Sequence, residues 1–351
     1  MSRLFIDAGE QSGSGTIIRY SSALGVLLGQ EVELKNIRAK RKKPGLRAQH
    51  LTALQAVAEL CGGSLQTGGV GDKKAILIPG KKISGGKYNW EIGTAGSANM
   101  LVLNILPLAL FADSPVEARI VGGTFQDFAP SAYHLIRVLF PLLHKMGARL
   151  KLELKKPGYV PIGGGELVFS CKPLSREPKP FQLISPGVLE KITGIALSSH
   201  LQSPKVSSRM AHSCSKEMEQ WGYEVDIEEI YDQTAKQPGA VLAVRAETQN
   251  GALLGIDMAG KPGRRAEDIG RSVARMMVED LRSGATVDRF TADQLIIFAG
   301  LAGGESTFRI PGITEHVSTN LWLIEQILGA ETRLDDNLVT IKGVKLPASR
   351  R

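Results

Sequence analysis

The chain of 351 residues carries a formal net charge of +8 and is 43% hydrophobic, 22% charged and 5% aromatic, which suits a soluble globular protein of about two domains and excludes disordered or fibrous classes. No uninterrupted apolar stretch reaches the roughly 20 residues of a membrane span, and MSRLFIDAGE lacks the apolar run and cleavage site of a secretory signal, so a cytoplasmic location without membrane contact is expected. Cys61, Cys171 and Cys214 are far apart and in no CxxC pair, arguing against a disulfide framework or zinc site, while the positive charge favours a polyanionic partner such as nucleic acid, a nucleotide or an anionic metabolite.

In chain order, LFIDA reads as a strand, TIIRYSSALGVLLG as a helix, EVELKNI as a strand and QHLTALQAVAELCGG as a helix closed by glycine. The pattern then loosely repeats. AILIPG and YNWEIG read as strands, GSANMLVLNILPLALFA as a buried helix, VEARIVGG as a strand and YHLIRVLFPLLHKMG as a helix stopped by Gly147. Glycine clusters at Gly85-Gly86, Gly122-Gly123 and Gly163-Gly164-Gly165 fall around strand ends, where the backbone turns sharply or approaches a ligand. The alternation predicts an α/β (α+β) architecture.

The proline-dense PLSREPKPFQLISPG marks a boundary near 173–188. Beyond it, KITGIALSSHL, VSSRMAHSCSKEMEQWG, YEVDIEEIY and the pair AVLAVRAET and ALLGIDMAG, hinged at Gln249-Asn250-Gly251, predict a small sheet with a helix and a hairpin. AEDIGRSVARMMVEDLRSG then begins a long amphipathic helix. The block 185–277 reads as an inserted small α/β domain, because the helix and the His316 tail after it resume the style of the first half; residues 1–184 and 278–351 form the core.

Four segments offer chemistry. In GEQSGSGTIIR, Gly13 and Gly15 fit either an anion cradle or a tight turn, without the third glycine of a dinucleotide fingerprint or the ending of a P-loop. In NIRAKRKKPGLRAQHL, Arg38, Lys40, Arg41, Lys42, Lys43 and Arg47 precede Gln49 and His50; this is either an ordered phosphate or RNA contact or a solvated basic loop. Aromatic residues are too sparse for a stacking sheet of the RRM kind. In VDRFTADQLIIFAGLAGG, Phe290 can stack on a base while Asp293 or Gln294 bonds it, or Phe290 is core and Asp293 a helix-start acid; Asp288 is open in the same way, as are Asp127, Tyr133 and His134. Finally, in PGITEHVSTNLWLIEQILG, Val317, Leu321, Ile324 and Leu328 form one helical stripe, placing His316 at the edge of the buried face at the helix start. There the helix dipole disfavours imidazolium and attracts phosphate, so a neutral, nucleophilic ring can form a phosphoramidate; the plainer reading is a capping histidine.

Together, IRAKRKKPGLRAQHL, IGTAGS at 92–97, VGGT at 121–124 with Ala129-Pro130, GYVPIGGGE at 158–166, ADQL at 292–295 and HVSTNLWLIEQILG from His316 resemble the RNA 3′-terminal phosphate cyclase family across nearly the whole chain. The resemblance implies a core of repeated βαβαββ-like units with a small thioredoxin-like α/β domain inserted between the last two. It implies an ATP-dependent, ligase-type reaction in which His316 takes AMP from ATP with Mg²⁺ or Mn²⁺ assistance, AMP passes to an RNA 3′-terminal phosphate, and the neighbouring 2′-hydroxyl closes a 2′,3′-cyclic phosphate. By position, Arg19, Arg38, Arg41, Gln49 and His50 correspond to phosphate and RNA contacts, and Pro130, Phe290, Asp293, Gln294 and Leu103 to the nucleotide pocket.

The chain departs from the family pattern at that site. The first loop of the family has a glutamate, three glycines and a glutamine where this chain has Ser12, Gly13, Ser14, Gly15 and Thr16, so the expected metal-binding carboxylate is replaced and Glu10 is the nearest substitute. Leu103 stands for a glutamine, Phe290 for a tyrosine and Phe125 for an aspartate. The alternative function is therefore a weakened or inactive cyclase-like RNA-binding protein of RNA processing or ribosome assembly. An enolpyruvyl-transferase-like enzyme shares only the repeated-unit expectation. The metal, the physiological RNA and the oligomeric state stay open, a homodimer among the options.

Overall fold

The computed structural model describes residues 2–346. The first unit runs β1 (Arg3–Asp7), α1 (Gly15–Leu28), β2 (Glu31–Lys35), α2 (Ala48–Leu60), β3 (Ser64–Gln66) and β4 (Ala75–Ile78). The second runs β5 (Gly86–Glu91), α3 (Ala98–Leu110), β6 (Val116–Gly122), α4 (Ala132–His134), a π-helical turn Leu135–Leu139, α5 (Phe140–Lys145), β7 (Arg149–Lys156) and β8 (Gly165–Lys172). A third opens with the two-residue β9 (Gln182–Leu183). It is interrupted by β10 (Leu189–Ser199), α6 (Val206–Glu219), β11 (Asp226–Asp232), β12 (Gly239–Thr248), β13 (Leu253–Ala259) and α7 (Ala266–Arg282). It resumes with α8 (Thr291–Gly300), β14 (Glu305–Arg309), α9 (Glu315–Leu328), β15 (Glu331–Asp335) and β16 (Leu338–Lys342).

The sheets reveal the repeat. Their orders are β1-β2-β4-β3, β5-β6-β8-β7 and β9-β14-β16-β15, each the same arrangement of first, second, fourth and third strand. In each, the first pair is parallel and the remaining pairs antiparallel. A parallel pair needs a crossover, supplied by α1, α3 and α8, whereas the last two strands close through short connections. α3 is apolar almost throughout because it lies within the main core, with all of its residues but Met100 buried.

The interrupting block has a sheet of its own, β11-β10-β12-β13, and a second hydrophobic core. That core takes Val273, Ala274, Met277 and Val278 from α7, with Leu281 packed against it, so the block extends past 277 to the end of α7. At its other end, Leu183 of β9 pairs with Phe308 of β14. The insertion therefore lies inside the third unit, after its first strand, rather than between the last two units. Two residues amid prolines leave no alternating signature from which this could be read. Cys61, Cys171 and Cys214 are all buried, and among the described residues no helix is long and apolar enough to cross a membrane.

Candidate active site

The starts of α1, α2 and α9 converge. Ser14 caps α1, its oxygen accepting from the Thr16 N–H at 3.4 Å, and Thr314 caps α9, accepting from the Val317 N–H at 3.2 Å. The loop before α1 is fastened to α9: the Ser12 N–H donates to Thr319 Oγ1 at 3.3 Å and the Thr16 hydroxyl to Asn320 Oδ1 at 3.4 Å. Thr319 and Asn320 lie three and four residues after His316, on the same helical face, so these bonds hold the glycine loop in register with the histidine. α2 closes the other side. A Cβ on Gly15 would lie 2.5 Å from His50 Nε2 and 3.0 Å from Arg19 Nη1, so the backbone can approach those groups only as glycine. Lys40 Nζ donates to the Gln11 carbonyl at 2.8 Å, laying the basic loop on the glycine loop.

Charge in this pocket is unbalanced. Arg19 is 6% exposed, forms no ion pair or side-chain hydrogen bond among the described residues, and buries Nε without a partner. Burial lowers its pKa, against the attraction of Tyr20 and Asp293. His50 is pushed down to about 3, first by burial and then by repulsion from Arg19, Arg38 and Arg47. Its Nδ1 accepts the Arg47 N–H at 3.2 Å, so the neutral ring carries its proton on Nε2, the atom facing Gly15. His316 is exposed, beyond the edge of the buried stripe that begins at Val317. Neighbouring atoms still desolvate its ring enough, with Arg19 and Arg41 adding repulsion, to hold it below the usual histidine value against the pull of Glu315. Both histidines are therefore neutral near pH 7, and an anion entering here meets donors and an uncompensated guanidinium.

The other expected residues divide. Arg38, half-buried with φ of 54°, donates to the carbonyls of Lys43 and Gly45 at 2.8 and 3.1 Å and so folds the basic loop, while Arg41 stays exposed near His316. Gln49 Oε1 accepts the Ser97 N–H at 3.0 Å, joining α2 to the cap of α3. On α8, Gln294 donates to Asp293 Oδ1 at 2.9 Å and accepts the Tyr20 hydroxyl at 2.6 Å, and Asn320 donates to the Asp293 carbonyl at 2.7 Å. Tyr20, Thr319 and Asn320 were not among the expected site residues; the helical spacing of the last two from His316 was the available signal. Burial raises the Asp293 carboxyl to about 7 despite its bond to Gln294 and the proximity of Arg19.

Phe290 packs edge-on against His134 at 5.9 Å and against the core of the insertion. Pro130 is buried, its carbonyl accepting from Asn99 at 3.0 Å. Leu103 does not line an opening: it is wholly enclosed in the main core. Phe125 is likewise enclosed, 5.4 Å from Tyr133 and 5.7 Å from Tyr159 between ring centroids. Glu10 is exposed on the loop surface, and the hydroxyl of Ser12 donates to Ser14 at 2.9 Å. Among the described residues no group of three or more histidine, cysteine or acidic side chains could hold a metal ion, so the residues present do not fit a protein-built metal centre.

The sequence model described as RNA 3′-terminal phosphate cyclase matches residues 10–334. The chain is 36% identical over 333 residues to the RNA 3′-terminal phosphate cyclase of Methanopyrus kandleri, covering 93% of this chain and 94% of that protein. It is 33% identical to the protein of that name from Pyrobaculum neutrophilum, over 97% and 99% of the two chains, and 38% identical to that from Nitrosospira multiformis, over 92% and 91%. Matches of this extent and identity establish that the chain belongs to the RNA 3′-terminal phosphate cyclase family.

Proposed function

We propose that this enzyme converts an RNA 3′-terminal phosphate to a 2′,3′-cyclic phosphate using ATP, with His316 as the nucleophile. A nitrogen lone pair of neutral His316 forms an N–P bond to the α-phosphorus of ATP as the bond to pyrophosphate breaks, leaving AMP on the ring. An oxygen of the RNA phosphate then takes AMP from the histidine. Finally the 2′-hydroxyl, losing its proton, attacks the activated phosphorus, and AMP leaves as the ring closes. The observation that carries this reading is the buried, unpaired Arg19 beside His50 and His316. With no ion-paired carboxylate among the described residues, its charge is directed at whatever anion occupies the pocket, and fixed donors there stabilise a transferring phosphoryl group. The basic loop, through Arg38 and Arg41, fits the RNA phosphate, and Asp293 and Gln294 fit the nucleoside. Among the described residues the side chains build no cage for Mg²⁺ or Mn²⁺.

The test is incubation with ATP labelled at the α-phosphate. Label held on the protein, stable to alkali, released by acid and absent from His316→Ala, is the expected result. Wild-type protein that stays unlabelled, or His316→Ala that is labelled, sinks the nucleophile; RNA binding without labelling would favour the RNA-binding alternative. Cyclisation is read separately, as resistance of the RNA 3′ end to phosphatase.

A further inference from the structure

Loop 125–130 carries two phenylalanines in opposite situations. Phe125 is buried, whereas Phe128 is 100% exposed at the loop apex with φ of 66°. A bulky side chain in the left-handed region and wholly in water is disfavoured on both counts, and such outliers concentrate at functional positions. The surroundings hold it there. Asp127 receives Arg264 through two bonds of 2.8 and 3.0 Å and Lys261 at 3.0 Å, while Asn99 clamps the two ends of the loop through the carbonyls of Thr124 and Pro130 at 2.8 and 3.0 Å.

The loop belongs to a rim that reaches the active site. The Gly123 N–H donates to the Gly96 carbonyl at 2.8 Å, and the next residue, Ser97, is bonded to Gln49 beside His50. On the other side, the Thr124 and Phe125 N–H groups both bond the Gly158 carbonyl, at 2.9 and 3.1 Å, bringing in the 158–165 turn with Val160 at 56% and Ile162 at 53% exposure. The exposed Lys236 lies against this turn, its Nζ 3.2 Å from where a Cβ on Gly164 would stand. A fully exposed aromatic ring on a rim that also presents exposed aliphatic side chains and a cation is the chemistry that stacks a base of a single strand. A nucleotide pocket would instead enclose its base.

We infer that Phe128 is a stacking platform for an unpaired base of the RNA strand upstream of the reacting 3′ nucleotide. This rests on the reading of the pocket as the RNA-end site. The experiment measures fluorescence anisotropy of a 5′-fluorescein five-nucleotide RNA bearing a 3′-phosphate, with competition by a nucleoside 3′-phosphate and by ATP. Phe128→Ala should weaken the five-nucleotide RNA about tenfold and leave the nucleoside 3′-phosphate and ATP within twofold, and Phe128→Trp should restore the RNA affinity. Phe128→Gly, which relieves the positive φ, should raise the melting temperature while weakening the RNA equally, separating binding from folding. Unchanged RNA affinity in Phe128→Ala overturns the inference, as does equal weakening of the nucleoside 3′-phosphate; loss of ATP affinity assigns the ring to the adenine instead and also overturns it. Binding requires no adenylylation, so an inactive His316 would break the proposed mechanism without touching this result.

Discussion

In the pocket at the starts of α1, α2 and α9, His50 and His316 face Arg19, Arg38, Arg41 and Arg47; where the second unit meets the insertion, His134 faces Asp288, Asp257 and Asp293. Both regions bury charge, and they shift the same side chain in opposite directions. Burial alone would lower His134, but attraction to Asp288, 3.1 Å from its Nε2, outweighs it and raises the pKa. Asp288 is saturated, accepting in addition from the N–H groups of Gly255, Phe290 and Thr291 and the Thr291 hydroxyl. The junction thus pairs His134 with a carboxylate inside the fold, though His134 Nδ1 has no partner, and it ties the insertion to α4 and α8. The pocket makes no such pair, because among the described residues Arg19 has no ion-pair partner and only the pull of Tyr20 and of Asp293, whose carboxyl is raised to about 7, and what it lacks is what a phosphate supplies.

Removing a partner from the completed region should have the largest effect. Asp288→Ala strips three backbone donors and the His134 ring of their shared buried acceptor, so a loss of about 3–5 kcal/mol in urea unfolding is expected. The pair's stabilisation also has a pH signature. His134 is raised above its unfolded value, so its share is fully present below the ordinary value near 6.5 and fades as pH climbs through the raised one. Arg19→Met should act in reverse: stability unchanged or higher by about 1 kcal/mol, because an unpaired buried charge is gone, with adenylylation slowed roughly 100-fold. Equal destabilisation by the two substitutions would erase the distinction between the regions.

The alternating strands and helices and the start of α9 at His316 were legible because each leaves a local mark: helical or alternating periodicity, and an apolar stripe beginning one residue after the histidine. β7 was also available in RLKLELKK, where Leu150 and Leu152 point inward between charged residues. β9 left too few residues to signal. What local pattern does not carry is the environment assembled from distant segments. Arg19 sits in TIIRYSS, an unremarkable turn of helix, and its isolation arises only once α2 and α9 arrive. Leu103 resembles a pocket residue by position, yet the packing of α3 encloses it, and Phe125 and Phe128, three residues apart, differ wholly in exposure.

Asp293 lies between the two regions and offers a smaller, graded test. Its carboxyl is raised to about 7, chiefly by burial, so ionising it in the fold costs stability that accumulates as pH rises from the unfolded value near 4 toward 7. Asp293→Asn should therefore match the wild type near pH 4 and exceed it by about 1–3 kcal/mol at pH 8. Melting curves that stay parallel across that range would show Arg19 to be an effective counter-charge after all, and would weaken the case for an unbalanced pocket.

The smallest expected change belongs to His316. Its pKa is held below 6.5 by desolvation and by Arg19 and Arg41, so the neutral, nucleophilic form persists as pH falls through the range in which an ordinary histidine protonates. The rate of protein adenylylation, measured at saturating ATP, should stay level from pH 8 to about 6.5 and decline only below it. In Arg41→Gln one repelling charge is removed, so the decline should begin at a higher pH while the plateau changes less than in Arg19→Met. A wild-type decline beginning above 6.5 would mean that Glu315, or an anion already in the pocket, neutralises the arginines, and the contrast with His134 would then be one of degree rather than of sign.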